Sequence, residues 1–348
     1  MQKLQKGSRT TVAVVGSGAF GISSALELNR RGYLVTVIDP NVCEGPHPLA
    51  SSTDISKIIR TDYGSDTLYN DMILESLLKF RAWNQKWGEE VFHESGLLIL
   101  SKEPMKDGSF AGESYRCVTN RGFPIDRMDG EALHKRFPEW NKTITYKDNY
   151  LNNLGGWAES GRMVAKLIQE AKDQGVILLQ AQMKQLIYSK QTTPQGKQKV
   201  VGIELVDGRE LRVDHVVVAA GAFTPHLLPW LQSFINPTLH PVFHFKPKPG
   251  TNLDNLKENV FPTFAADIEN TGFYGFPLHP KEGVIKIAIH SKGLPLLPKY
   301  ANHNIYDRSF INQLQKENYE RELKRFREFQ KESLPVLADS QVTFFRYC

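Results

Sequence analysis

The chain has 348 residues, 41% of them apolar and 23% charged, and a formal charge of 43 − 38 = +5. That length supports a sizeable core and two domains. Scattered charges without a basic block argue against a nucleic-acid partner, and no apolar run approaches the ~20 residues that span a bilayer. Three widely spaced cysteines, Cys43, Cys117 and Cys348, argue against a disulfide framework or a zinc site and fit a reducing compartment.

Met1 to Thr10 is polar, so no signal peptide is expected. Val12-Ala13-Val14-Val15 then reads as a buried strand, and Gly16-x-Gly18-Ala19-Phe20-Gly21 as the tight turn after it. A helix from Ala19 to Arg31 closes at Gly32, and Val35-Thr36-Val37-Ile38 ends in Asp39, 18 residues past Gly21. Strand, glycine turn, helix, strand and acid together predict a dinucleotide-binding βαβ unit. Gly16 permits the turn, Gly18 admits a pyrophosphate and Gly21 lets helix and strand close up. The helix N-terminus attracts phosphate, and Asp39 accepts ribose hydroxyls.

Beyond the loop from Pro40 to Ser52, Ser51 and Ser52 lead to Lys57 and Arg60, expected in a loop with both cations aimed at one spot. Met72, Ile73, Leu77, Phe80, Trp83 and Trp87 recur at helical spacing and read as core. Gly96 to Leu100 is a strand, and Gly155-Gly156-Trp157 is expected to open a helix at 161–174. Asp207-Gly208 marks a hairpin between 200–205 and 209–213. His215 to Val218 runs into Ala219-Ala220-Gly221, small residues suited to a second approach to the nucleotide. His240 and His244 share a strand face without accompanying thiols or carboxylates and read as structural, so no metal site is expected. Tyr274 lies on a strand, and Lys286 interrupts the apolar strand 284–289, where a charge is costly without a partner. His290 shares its face. Residues 312–333 form a charged amphipathic helix with Leu314, Leu323, Phe326 and Phe329 on one side.

The segments Ser51-Ser52-Thr53-Asp54…Lys57-Ile-Ile-Arg60, Gly272-Phe273-Tyr274…Lys286…His290 and Arg346-Tyr347-Cys348 resemble the flavin-dependent amine oxidases that act on sarcosine, pipecolate, saccharopine and fructosyl amino acids. The saccharopine and pipecolate branch is the nearest in pattern. The resemblance implies an α/β fold, a Rossmann-type FAD domain (1–93 and 155–226) interleaved with a substrate domain on a mixed or antiparallel sheet (94–154 and 227–348). It implies oxidation of the C–N bond of a secondary amine or N-substituted amino acid, giving an imine and hydrogen peroxide, with dioxygen as acceptor.

In that family Arg60 matches the arginine that anchors the substrate carboxylate and Lys57 a basic residue beside the flavin. Lys286 matches the lysine that assists dioxygen, and Tyr274 and His290 line the substrate pocket. Cys348 matches the cysteine that links covalently to FAD. The chain is then expected to be a monomer in the cytoplasm or peroxisome. The resembled family continues past Cys348 with a part that completes the sheet, so an unpaired sheet edge is expected here. An NAD(P)-dependent Rossmann oxidoreductase and an inactive truncated flavoprotein are the alternatives; Asp39 disfavours a 2′-phosphate.

Overall fold

The computed structural model describes residues 9–143, 146–192, 194–296 and 307–348. Two compact units emerge, one from residues up to Ile55 with Ser160–Pro237, the other from Ser56–Glu159 with Thr238–Cys348. The expected boundaries at 93 and 155 differ from these. Strands Lys57–Arg60 and Phe92–His93 both pair with Gly155–Ala158, which draws all three into the second unit.

In the first unit a parallel sheet runs in the order His215–Val218, Thr11–Val15, Leu34–Asp39, Ile177–Gln180. Its near-continuous apolar strands suit a sheet covered by helices. Ala13, Val15 and Ile38 pack with Met183, Ile203 and Leu205 of an antiparallel layer formed by Met183–Thr192, Gln198–Leu205 and Glu210–Arg212. The hairpin at Asp207-Gly208 forms where it was expected.

The second unit is built on a mixed sheet, eight-stranded among the described residues. Its order is Gln341–Tyr347, Pro241–Lys246, Ile285–Ile289, Phe273–Gly275, Thr263–Ala266, Leu97–Ser101, Asp148–Asn152, Ile125–Met128. Every pairing is antiparallel except Thr263–Ala266 with Leu97–Ser101. Period-two alternation sends Phe243, Phe245, Phe264, Phe273, Ile285, Ile287 and Ile289 to one face, where Phe326 and Phe329 of helix Arg308–Ser333 cover them. Burying such a side chain stabilises the fold by about 1.5–3 kcal/mol. The opposite face is thereby left to the polar residues of the same strands.

Two local expectations fail. Gly155-Gly156-Trp157 is a strand; the helix begins at Ser160. A Cβ on Gly156 would lie 2.0 Å from the His93 carbonyl oxygen, so close strand pairing, not a helix start, explains the glycine. On helix Thr67–Trp87 Leu77 is buried, yet Met72 is 54% exposed, so the aromatic stripe is a half-covered surface rather than core.

Candidate active site

The nucleotide end lies in the first unit. Gly16 has φ +101°, and a Cβ there would stand 2.5 Å from the Ala219 carbonyl oxygen; one on Gly21 would collide with the Gly16 carbonyl at 1.8 Å. Both positions therefore require glycine. Helix Ala19–Arg30 starts at Gly18 without a side-chain cap on its first turn, though the Ala19 N–H reaches Ser52 Oγ at 3.3 Å. Asp39 is 7% exposed; its carboxylate accepts from Ser17 N–H (3.0 Å) and Asn41 N–H (2.9 Å). Ser17 Oγ is buried without a hydrogen-bond partner among the described residues. Phe20 and Ser51 are exposed, and Ala220 and Gly221 follow the strand beside Val15. A bare helix start, two glycines that tolerate no side chain, an orphaned hydroxyl and an acid with spare lone pairs fit the ADP part of a dinucleotide.

The second unit brings the chemical residues to the polar face of its large sheet. His244 pairs with Lys286, Val242 with Ala288 and Arg346, and Ala288 with Tyr274, so these side chains stand together. Lys286 is 1% exposed; its Nζ donates to the Ser56 carbonyl oxygen and lies 4.9 Å from the centre of the Phe276 ring. That contact sets Lys286 against the residue preceding Lys57. Lys57 Nζ in turn lies 3.2 Å from Cys348 Sγ, which Arg346 Nη2 also approaches at 3.4 Å. Cys348 is fixed by reciprocal main-chain bonds with His240, whose ring stacks 6.0 Å from that of His290. Burial holds both imidazoles below the usual histidine range. The Arg60 charge adds to this at His290, while at His240 the Ile289 carbonyl opposes it and His290 and Lys57 reinforce it. Both therefore favour the neutral form.

Lys57 and Arg60 occupy a strand, not the expected loop, so a spacing of three puts them on opposite faces. They cannot grip one spot as a pair. Arg60 Nη1 donates to the Asp62 carbonyl oxygen (2.5 Å), and the guanidinium lies 4.6 Å from the centre of the Tyr63 ring and 5.3 Å from that of Phe110. Among the described residues its other N–H groups have no acceptor. An oriented donor fork with open positions is what a planar carboxylate needs.

Sequence reasoning passed over the group behind Arg60. Asp62 is 0% exposed and accepts from Tyr150 Oη (2.7 Å) and Asn152 Nδ2 (2.9 Å). Burial pushes its carboxyl above the usual aspartate range, opposed by those donors and by Arg60. The signal was available: an acid two residues past Arg60, and Tyr150 and Asn152 at a spacing of two. It also missed Glu90, His93 and Glu258, whose ligand atoms lie within 4.8 Å of one another. Burial opposes the charge on His93, but Glu159 and Glu258 outweigh it and raise His93 above the usual range. The group reads as an ion-paired imidazolium.

The glycine-turn cradle of the first unit has the form of a dinucleotide-binding site. Residues 11–344 match the family model described as FAD dependent oxidoreductase, and the chain belongs to that family. It is 23% identical over 288 residues to the L-saccharopine oxidase of Schizosaccharomyces pombe, spanning 80% of this chain and 64% of that protein. To the monomeric sarcosine oxidase of Bacillus sp. it is 24% identical over 297 residues, spanning 84% of this chain and 71% of the relative. A modified fructosyl peptide oxidase from Aspergillus nidulans superposes with a TM-score of 0.73 at 20% identity, over 97% of this chain and 79% of that one. The chain thus spans less than two thirds of the saccharopine oxidase it matches. These relatives set aside the NAD(P)-dependent alternative. Among the described residues no helix is long and apolar enough to cross a membrane.

Proposed function

We propose that the chain is a FAD-dependent oxidase of the C–N bond in a secondary amine or N-substituted amino acid. Amine and dioxygen give imine and hydrogen peroxide, and water then hydrolyses the imine to a carbonyl compound and an amine. When bound, FAD supplies the redox chemistry, accepting a hydride equivalent from the carbon beside nitrogen. The observation that carries this reading is the Arg60 guanidinium, whose remaining N–H groups have no acceptor among the described residues, in the same unit as the buried Lys286 amine.

Gly16, Gly18, Ala19, Phe20, Gly21, Asp39, Ser51, Ser52, Ala220 and Gly221 would hold the ADP portion by main-chain approach, helix N-terminus and ribose contact. Arg60 binds the substrate carboxylate through the N–H groups that have no acceptor among the described residues, fixing which carbon faces the cofactor. Tyr274 and the neutral His290 complete the pocket; a neutral histidine leaves the amine able to bind uncharged, so no strong base is required. Lys286 keeps a fixed positive charge out of water, where it stabilises negative charge developing on dioxygen. Lys57 and Arg346 flank the Cys348 sulfur, which would carry a thioether to the flavin.

The sarcosine oxidase relative is named monomeric, which supports a monomer, and the three free cysteines fit a reducing compartment such as the cytoplasm or peroxisome. Peroxide release from a panel of N-methyl, cyclic and N-carboxyalkyl amino acids tests the assignment. Amine-dependent peroxide is expected, and its absence across the panel from a flavin-loaded protein would refute the reaction.

A further inference from the structure

We propose that Asp62 is a positioning residue for Arg60: its buried carboxylate is a fixed counter-charge that limits how tightly the guanidinium holds a carboxylate ligand. The inference rests on the reading that Arg60 meets the substrate carboxylate.

Asp62 is built in rather than incidental. Its main-chain carbonyl takes the Arg60 Nη1 bond, so one residue supplies both an anchor for the guanidinium and a charge beside it. Its carboxylate accepts from two neutral donors, Tyr150 Oη and Asn152 Nδ2. Asn152 Nδ2 also reaches Thr61 Oγ1 at 2.7 Å, and Asn70 Nδ2 donates to the Thr61 carbonyl at 2.6 Å. Asp62, Thr61, Asn70 and Asn152 are all 0% exposed. No ion pair to Asp62 occurs among the described residues; the positive charge that favours its carboxylate from nearby is that of Arg60.

A buried carboxylate without a compensating charge is costly, and neutral donors alone would hold an asparagine as well. What the acid adds is its field. Out of water, charges interact strongly beyond hydrogen-bond contact, so Asp62 weakens the pull of Arg60 on any incoming anion. A site that must release a carboxylate-bearing product gains from moderate affinity, because tight uniform binding does not raise turnover.

Sodium benzoate and neutral benzamide, titrated calorimetrically into the purified full chain at about pH 8, where benzoate is ionised, provide the test. Asp62→Asn should bind benzoate about tenfold more tightly than wild type and leave benzamide unchanged, an estimate from the charge interaction above. Damage to a purely structural hub would weaken both ligands. Unchanged or weaker benzoate binding by folded Asp62→Asn overturns the proposal. Should that variant fail to fold, Tyr150→Phe is read instead. It strips a donor from the ionised carboxylate, leaving that negative charge less dispersed beside Arg60, and should weaken benzoate binding by a smaller factor with benzamide unchanged; unchanged benzoate binding overturns the proposal. Arg60→Gln separates the two ideas. If it leaves wild-type benzoate affinity intact, the Arg60 reading falls and takes this one with it. If it abolishes binding while Asp62→Asn changes nothing, the Asp62 inference alone fails.

Discussion

Replacing Arg60 with alanine should cost the enzyme its hold on substrate rather than its chemistry. The guanidinium uses one N–H on the Asp62 carbonyl and rests on Tyr63 and Phe110, which leaves a fork of donors without acceptors among the described residues. Two charge-assisted hydrogen bonds to a carboxylate, at about 1.5–3 kcal/mol each, predict a loss of about 3–6 kcal/mol in transition-state binding. That is on the order of 10²- to 10⁴-fold in kcat/KM, carried mainly by KM. Arg60→Lys keeps the charge but loses the fork and the aromatic stacking, so about a tenfold loss is expected. Steady-state peroxide assays with an amino acid and its methyl ester check the cause. Wild type should prefer the acid, and Arg60→Ala should treat the two alike. A KM for the acid within about twofold of wild type, or an equal loss for the ester, would refute the reasoning.

Other residues make separate predictions. Lys286→Met should slow the oxygen-dependent half of turnover by about 10²-fold or more, since an ion at ~4 Å in a site of intermediate dielectric is worth a few kcal/mol. Anaerobic reduction should change little, and rapid-mixing measurements that show both halves equally impaired would remove Lys286 from that role. Acid precipitation of wild type should leave flavin with the pellet, while Cys348→Ser should release it to the supernatant; release from both argues against the thioether. The raised Asp62 carboxyl, opposed by Arg60 and facing Tyr63 and Tyr150, has a definite sign. A folded-state value above that of the unfolded chain favours folding at low pH, and the benefit is lost as pH rises through the folded value. Wild type should therefore lose stability relative to Asp62→Asn as pH rises from about 3.9, the unfolded-chain value, through the folded-state value, measured by urea midpoints. A gap that stays constant with pH would contradict it.

The nucleotide cradle was legible because its constraints are local. Gly16, Gly21 and Asp39 sit where main-chain geometry alone demands them, within one strand-turn-helix-strand run. The substrate side was legible residue by residue but not in its geometry. Lys57 and Arg60 looked like a loop pair because nothing nearby announces that Gly155–Ala158, almost a hundred positions on, pairs with them and throws them to opposite faces. Met72 and its aromatic neighbours carried a helical period, yet period does not say whether a partner covers the stripe. Asp62 escaped notice because a lone acid in sequence looks solvated; its burial depends on Tyr150 and Asn152, which only tertiary pairing delivers. Lys286 stood out for the opposite reason, since a charge inside an apolar strand conflicts with its surroundings wherever the strand lies.

The most direct measurement is anaerobic mixing of the purified, flavin-loaded chain with secondary amino acids while its visible absorbance is followed. The account predicts bleaching by at least one carboxylate-bearing secondary amine, recovery of colour with peroxide on admitting air, and weak response to the matching ester. A flavin that stays oxidised with every amine, or a chain that takes up no flavin, would contradict it.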